Sequence, residues 1–150
     1  MPRRKLPPQT PWTNSPEDVE AAFYDALLSG NLDALMALWA EDEEVICIHP
    51  GGQRLDGMAA IRDSFSQLFT NGGLQISAEV QHRWYSMTSA MHSVVERVQI
   101  EVDGKPQWGF VLATNFYLQT PAGWRLALHH ASPGTPQTSL DAMPPGEVLH

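Results

Sequence analysis

The stretch LQISAEVQHRWYSMTSAMHSVVERVQIEVDGKPQWGFVLATNFYLQTPAGWRLALHHAS, residues 74–132, decides the fold. Apolar residues alternate along it with the two-residue period of a half-buried strand. Ile76, Ala78, Val80, His82 and Trp84 fall on one side of a first strand, and Val94, Glu96, Val98, Ile100 and Val102 on one side of a second. Asp103-Gly104 is a hairpin turn signal, because both residues tolerate a left-handed backbone. A third strand runs from Trp108 to Leu118. After Pro121-Ala122-Gly123 a fourth carries Trp124, Leu126, Leu128 and His130 together. Four long strands joined by short turns predict an antiparallel meander.

Upstream, the period changes from two to 3.6. Ser15-Pro16-Glu17-Asp18 is a helix start, with a capping hydroxyl, proline at the first helical position and two acids at the positive end of the dipole. Val19, Phe23, Ala26 and Leu27 form one apolar stripe, and Gly30 stops the helix. Asn31 caps a second helix bearing Leu32, Leu35, Met36 and Trp39, and a third runs from Gly57 to Phe69 with Met58, Ile61, Phe65 and Leu68. Between them Val45 to His49 is short and β-branched, and Pro50-Gly51-Gly52 is a loop. Three helices, one early strand and a meander define an α+β domain whose curved, mixed sheet wraps the helices to bury its inner face, a cone-shaped roll.

The whole chain has 150 residues, the size of one domain. The proline-rich segments 1–14 and 133–150 lack periodicity and are expected as an extended arm and a loose tail around a folded unit of residues 15–132. With 43% hydrophobic and 17% charged residues the composition is that of a folded protein. A formal net charge of −8 argues against nucleic acid or an anionic membrane as partner, since both require a basic patch. Cys47 is the sole cysteine, so no intrachain disulfide forms, and with no signal-peptide or membrane-span pattern a cytoplasmic location is expected.

The strand Trp108–Leu118 is apolar on both sides: Phe110, Leu112 and Phe116 on one, Val111, Ala113 and Tyr117 on the other. An antiparallel sheet with one wet face should alternate apolar with polar. A homodimer formed through the sheet is therefore expected, with tail residues folded back over the strand as the alternative.

The motifs in their order resemble the nuclear transport factor 2-like superfamily, in particular its SnoaL-like branch. The resemblance is carried by Ser15-Pro16-Glu17-Asp18, Asn31-Leu32-Asp33-Ala34-Leu35 leading into Trp39, Ile46-Cys47-Ile48-His49-Pro50-Gly51-Gly52, the Gly57 to Ile61 helix start, Thr114-Asn115-Phe116, and Gly123-Trp124-Arg125-Leu126 leading into His129-His130-Ala131-Ser132-Pro133. It implies a cystatin-like roll, a pocket at the wide end of the cone and dimerisation through the sheet. It implies little about chemistry, because the superfamily holds isomerases, dehydratases, polyketide cyclases and proteins that only bind. The ketosteroid isomerase branch uses an aspartate base with a tyrosine and a protonated aspartic acid. That set is not placed on this chain, so steroid isomerisation is not carried over.

Glu96 is the sharpest anomaly, a carboxylate flanked by Val94 and Val98 on an inner strand face. Burial would raise its pKa and suit it to general acid–base work, unless it is only tied to a neighbouring nitrogen as a structural group. His49, ending the early strand, and His130, sharing a face with Trp124, Leu126 and Leu128, are the candidate imidazoles; packing is the plainer role for either. His129, by alternation, should look the other way. Asn115 interrupts an apolar strand and could orient a carbonyl oxygen, while Trp39, Phe65, Trp84, Trp108 and Tyr117 are expected as apolar pocket walls. His49, Glu96 and His130 come from separate strands with no short ligand spacing, so neither a metal nor another cofactor is expected. Two functions stay open: proton transfer on a small hydrophobic carbonyl or hydroxyl compound, and a non-catalytic ligand-binding or assembly module.

Overall fold

The computed structural model describes residues 13–134. The proline-rich arm and tail lie outside the described residues except for residues 13–14 and 133–134. Helix α1, Pro16–Ser29, begins as its sequence requires: Ser15 is extended and its hydroxyl accepts from the Asp18 amide at 3.1 Å. It ends at Gly30, whose φ of 70° is the left-handed cap glycine favours. Asn31 caps the short α2, Leu32–Met36, through a bond from the Ala34 amide, and α3 spans Met58–Leu68.

Six strands follow the order β2-β1-β6-β5-β4-β3 in one mixed sheet. The pieces are β1 (Ile46–Ile48), β2 (Arg54–Asp56), β3 (Ile76–Tyr85), β4 (Ser89–Val102), β5 (Lys105–Thr120) and β6 (Gly123–Pro133). The short β2 was not anticipated. It hairpins onto β1, which runs parallel to β6, and every other pairing is antiparallel. Asp103 and Gly104 both have positive φ at the β4–β5 turn, as the Asp-Gly signal predicted. Helix α1 touches both β3 and β6. Strands three positions apart in a flat sheet would lie about 14 Å from each other, wider than one helix of roughly 10 Å can cover. The sheet therefore curls around the helix.

One bulge in each of β3 and β6 corrects the faces expected from strict alternation. In β3 the register slips between Val80 and His82, leaving Gln81 as the extra residue. Ile76, Ala78 and Val80 stay on the helix side, but His82 and Trp84 cross to the outer face and Arg83 and Tyr85 take their places. In β6 the register slips at Ala127, since Tyr117 pairs with Leu126 while Phe116 pairs with Leu128. Leu126 faces inward, Leu128 and His130 face outward, and His129 points in. A bulge inserts one unpaired residue and a one-residue slip reverses every later side chain.

The inner faces of β4, β5 and β6 meet the helices in a continuous core. Val19, Phe23, Leu35, Trp39, Ile61, Phe65, Tyr117 and Leu126 are its largest apolar members. Val94, Ala113 and Ala131 form a second cluster further along the sheet. Thr13 is buried against β6, where its hydroxyl donates to the Trp124 carbonyl at 2.6 Å. No helix among the described residues is long and apolar enough to cross a membrane.

Candidate functional site

Beyond the second cluster the helices and sheet diverge, and a cavity of about 440 Å³ opens between them. Its walls are apolar: Leu27 from α1, Phe65 and Leu68 from α3, Ile76 from β3, Val98 and Ile100 from β4. Glu96 and His129 stand at its closed end, and His49 flanks it from the end of β1. Among the described residues no lysine or arginine lines it.

Glu96 is buried as expected, with 3% of its surface exposed. The Tyr24 hydroxyl donates to its Oε2 at 2.7 Å. Burial pushes the carboxyl up to about 7, against the smaller opposing pull of the Tyr24 hydrogen bond. Tyr24 in turn accepts from Asn115 Nδ2 at 3.1 Å, and Asn115 Oδ1 lies 2.6 Å from His129 Nδ1. An amide oxygen only accepts, so the proton of that last bond belongs to His129 Nδ1 and the ring's lone pair sits on Nε2. That Nε2 is 3.8 Å from Glu96 Oε2. Burial, assisted by the neighbouring His130, pushes His129 down to about 4. Burial thus drives both groups toward their neutral forms, and at this distance they are not an ion pair.

The candidate residues separate clearly. Glu96 and His49 both line the cavity, with Phe65 as a wall, while Asn115 is fully buried behind them. Asn115 positions Tyr24 and His129 instead of facing the cavity. His49 Nε2 is 2.8 Å from the Ser64 hydroxyl, and burial, then the nearby His129, lowers its pKa. Trp39 and Tyr117 are buried in the core and do not line the cavity. Trp39 is held under β6 by the Ala40 amide donating to the Leu126 carbonyl at 2.8 Å. Three expected placements are corrected. His130 is exposed on the outer face because of the Ala127 bulge. Trp84 is 53% exposed because of the Gln81 bulge, and Trp108 is 46% exposed on the outer face beneath Arg97, whose guanidinium lies 4.2 Å from the ring centre. Cys47, paired with His129 across β1 and β6, is fully buried and its thiol is pushed up to about 12 by burial, then by Glu96.

Tyr24 was missed. Its signal was present: Glu17, Glu20 and Tyr24 recur at helical spacing beside the apolar stripe of α1, so all three meet the sheet. Glu17 bonds the Tyr85 hydroxyl, and Glu20 Oε2 accepts from the Tyr117 hydroxyl at 3.2 Å and lies 2.7 Å from His92 Nδ1. His92 is fully buried opposite Asn115, so this second polar group packs behind the first. Removing the Tyr24 hydroxyl takes away the one donor that opposes burial at Glu96. Tyr24→Phe is therefore expected to raise the Glu96 midpoint further, by about one pH unit for a lost charge-assisted bond. A carbonyl-region infrared or NMR titration of Glu96 checks this; an unchanged or lower midpoint would contradict the bond.

A curled sheet around three helices, with a polar cluster at the closed end of an apolar cavity, defines the nuclear transport factor 2-like, cystatin-like roll. The model of the SnoaL-like domain matches residues 17–136, and the chain belongs to that family. Among solved structures, one from Thiobacillus denitrificans carries the provisional description of a calcium/calmodulin-dependent protein kinase type II association domain. It is 36% identical, with a TM-score of 0.74, covering 83% of this chain and 99% of that one. A second, from Streptomyces avermitilis, is provisionally described as a dehydratase of the nuclear transport factor 2-like family. Its identity is 28% and its TM-score 0.70, with 79% and 94% coverage. A third, from Novosphingobium aromaticivorans, is a nuclear transport factor 2-like protein with a cystatin-like fold. At 18% identity, TM-score 0.62 and coverage of 84% and 85%, it bears on the fold alone. No curated protein matches the chain.

Proposed function

We propose that the chain is a small-molecule pocket protein in which Glu96 exchanges a proton with a small hydrophobic hydroxyl or carbonyl compound, an isomerase-, dehydratase- or cyclase-like reaction. One observation carries this reading: a carboxyl inside an apolar cavity, held by a single side-chain donor, with its pKa pushed up to about 7. A group that titrates near the working pH both takes and gives protons efficiently. His129 Nε2 and the more open His49 are the second proton carriers. The reducing interior of a cytoplasmic setting fits the single buried thiol. The test is a thermal-shift screen of small hydrophobic alcohols and ketones followed by mass spectrometry of the hits. Conversion should fall by about 10²–10⁴-fold in Glu96→Gln, the usual worth of a positioned acid–base group. Conversion that survives the substitution removes Glu96 from the reaction.

The second reading, a dimeric assembly module, is favoured by the outer sheet face. Met91 on β4 and Trp108 and Leu112 on β5 are each at least 40% exposed there, and Trp84 extends the patch along β3. Exposed apolar patches of this kind mark contact surfaces. A homodimer joined through this face covers them and is compatible with a working pocket on the opposite side. Light scattering at tens of micromolar should give twice the chain mass, and Leu112→Glu, which places a charge in the centre of the patch, should give the monomer mass with the fold intact. A wild-type monomer at that concentration would count against the dimer.

A further inference from the structure

Every side-chain donor of the Glu96 network points inward, and in one direction. His129 Nδ1 donates to Asn115 Oδ1, Asn115 Nδ2 donates to the Tyr24 hydroxyl, and that hydroxyl donates to Glu96 Oε2. The relay ends on a carboxylate and leaves its other end, His129 Nε2, as a lone pair. Glu96 Oε1 takes no hydrogen bond from any described residue. With Glu96 ionised, as it is above its midpoint near 7, the closed end offers a ligand only acceptors: the free carboxylate oxygen and the imidazole nitrogen beside it. No lysine or arginine among the described residues lines the cavity to balance the charge.

An incoming carbonyl oxygen would set one more acceptor against these two. A carboxylate would in addition meet an uncompensated like charge in an apolar space, which is costly. A hydroxyl supplies one donor. An ammonium group supplies three donors and the missing positive charge.

We infer that the cavity takes an apolar amine in its protonated form, the ammonium seated against Glu96 and His129 and the hydrocarbon tail lying along Phe65, Ile76 and Val98. This rests on the pocket reading proposed above and narrows it to hydroxyl or carbonyl compounds that also carry an amine. A bound ammonium holds Glu96 ionised. Below the free-state midpoint near 7, binding must therefore expel a proton, and affinity falls by about tenfold for each pH unit.

The experiment uses four eight-carbon probes of matched tail, octylamine, 1-octanol, 2-octanone and octanoate, titrated into the full chain by calorimetry at pH 8. Octylamine is expected to bind at least tenfold more tightly than the alcohol or the ketone, and octanoate not at all. In Glu96→Gln the advantage of octylamine over octanol should vanish. Should that variant fail to fold, the wild-type chain between pH 5 and 7 gives the same information, because the octylamine affinity must drop about tenfold per unit. An octylamine affinity that is flat across this range, or unchanged in Glu96→Gln, overturns the inference. If the alcohol and ketone bind and octylamine does not, the ammonium assignment falls while the pocket reading stands. If none of the four binds, both fall together.

Discussion

At pH 8 the Glu96→Gln variant is expected to be more stable than the wild-type chain, by about 2 kcal/mol, while losing the proton-transfer activity proposed for it. The sign follows from where the proton sits. In the unfolded chain a glutamic acid releases its proton near 4.5, whereas burial in the folded chain delays release until about 7. Between these values the native state holds one proton more than the unfolded state, so stability from this group falls as pH rises. The full penalty is present above about pH 7 and amounts to roughly 3 kcal/mol at about 1.4 kcal/mol per pH unit. Glutamine removes it and sacrifices the stronger part of the Tyr24 bond, worth about 1 kcal/mol. Below pH 4.5 both states are protonated and the advantage of glutamine disappears. For a chain of this size, 2 kcal/mol should raise Tm by roughly 4–8 °C.

His129 runs the other way. Its folded pKa is pushed down to about 4 from 6.5, so the unfolded state binds the extra proton between those values and stability rises with pH across that window. The two slopes are opposite and nearly coextensive, and in the wild-type chain they cancel over most of pH 4.5–6.5. Glu96→Gln leaves the rising histidine slope alone. Urea denaturation at pH 4.5, 6 and 8 measures both effects. A variant less stable than wild type at pH 8 would refute the account of Glu96 as a carboxyl held in an apolar site at a cost.

Gly73→Ala is expected to cost the fold roughly 3–5 kcal/mol, the range reserved for lesions that packing cannot relax. A Cβ built on Gly73 would lie 2.0 Å from the Leu28 carbonyl oxygen and 2.8 Å from the Gly30 amide nitrogen. These are backbone atoms of the α1 cap and cannot swing aside. Gly30 meets the same obstacle in reverse, since its own Cβ would stand 2.8 Å from the Gly73 nitrogen and its φ of 70° is already left-handed. Next to this contact the Leu74 amide donates to the Leu27 carbonyl at 2.8 Å, which ties the start of β3 to the end of α1. A side chain at 73 pries these elements apart along the cavity wall formed by Leu27 and Ile76. Gly109 is the control: an added Cβ there meets nothing nearer than 3.8 Å, and Gly109→Ala should shift stability by less than about 1 kcal/mol. Equal denaturation midpoints for the two variants would contradict the close approach.

The architecture was largely legible because each element carried its own local chemistry. Ser15 and Gly30 bounded α1, Asp103-Gly104 turned β4 into β5, and the alternation through Val94, Glu96 and Val98 put the carboxylate inside. The site was legible only where alternation held without interruption. Gln81 and Ala127 are ordinary residues, and nothing in their chemistry announces a bulge of the kind a glycine would suggest. Each reversed the strand beyond it, so Trp84 and His130 were expected indoors and His129 outdoors. Tyr24 was hidden for another reason. A tyrosine beside an apolar helical stripe looks like packing, and its role depends on a partner 72 positions away.

The Ala127 bulge has a consequence for tolerance to deletion. Loss of that one residue would restore an uninterrupted pleat and leave every pairing beyond it in place, with Leu128 still opposite Phe116 and His129 still opposite Asn115. In a strand without a bulge, the same deletion would turn every later side chain to the other face. Here the spare residue absorbs it, so the chamber would keep His129 as its nitrogen base.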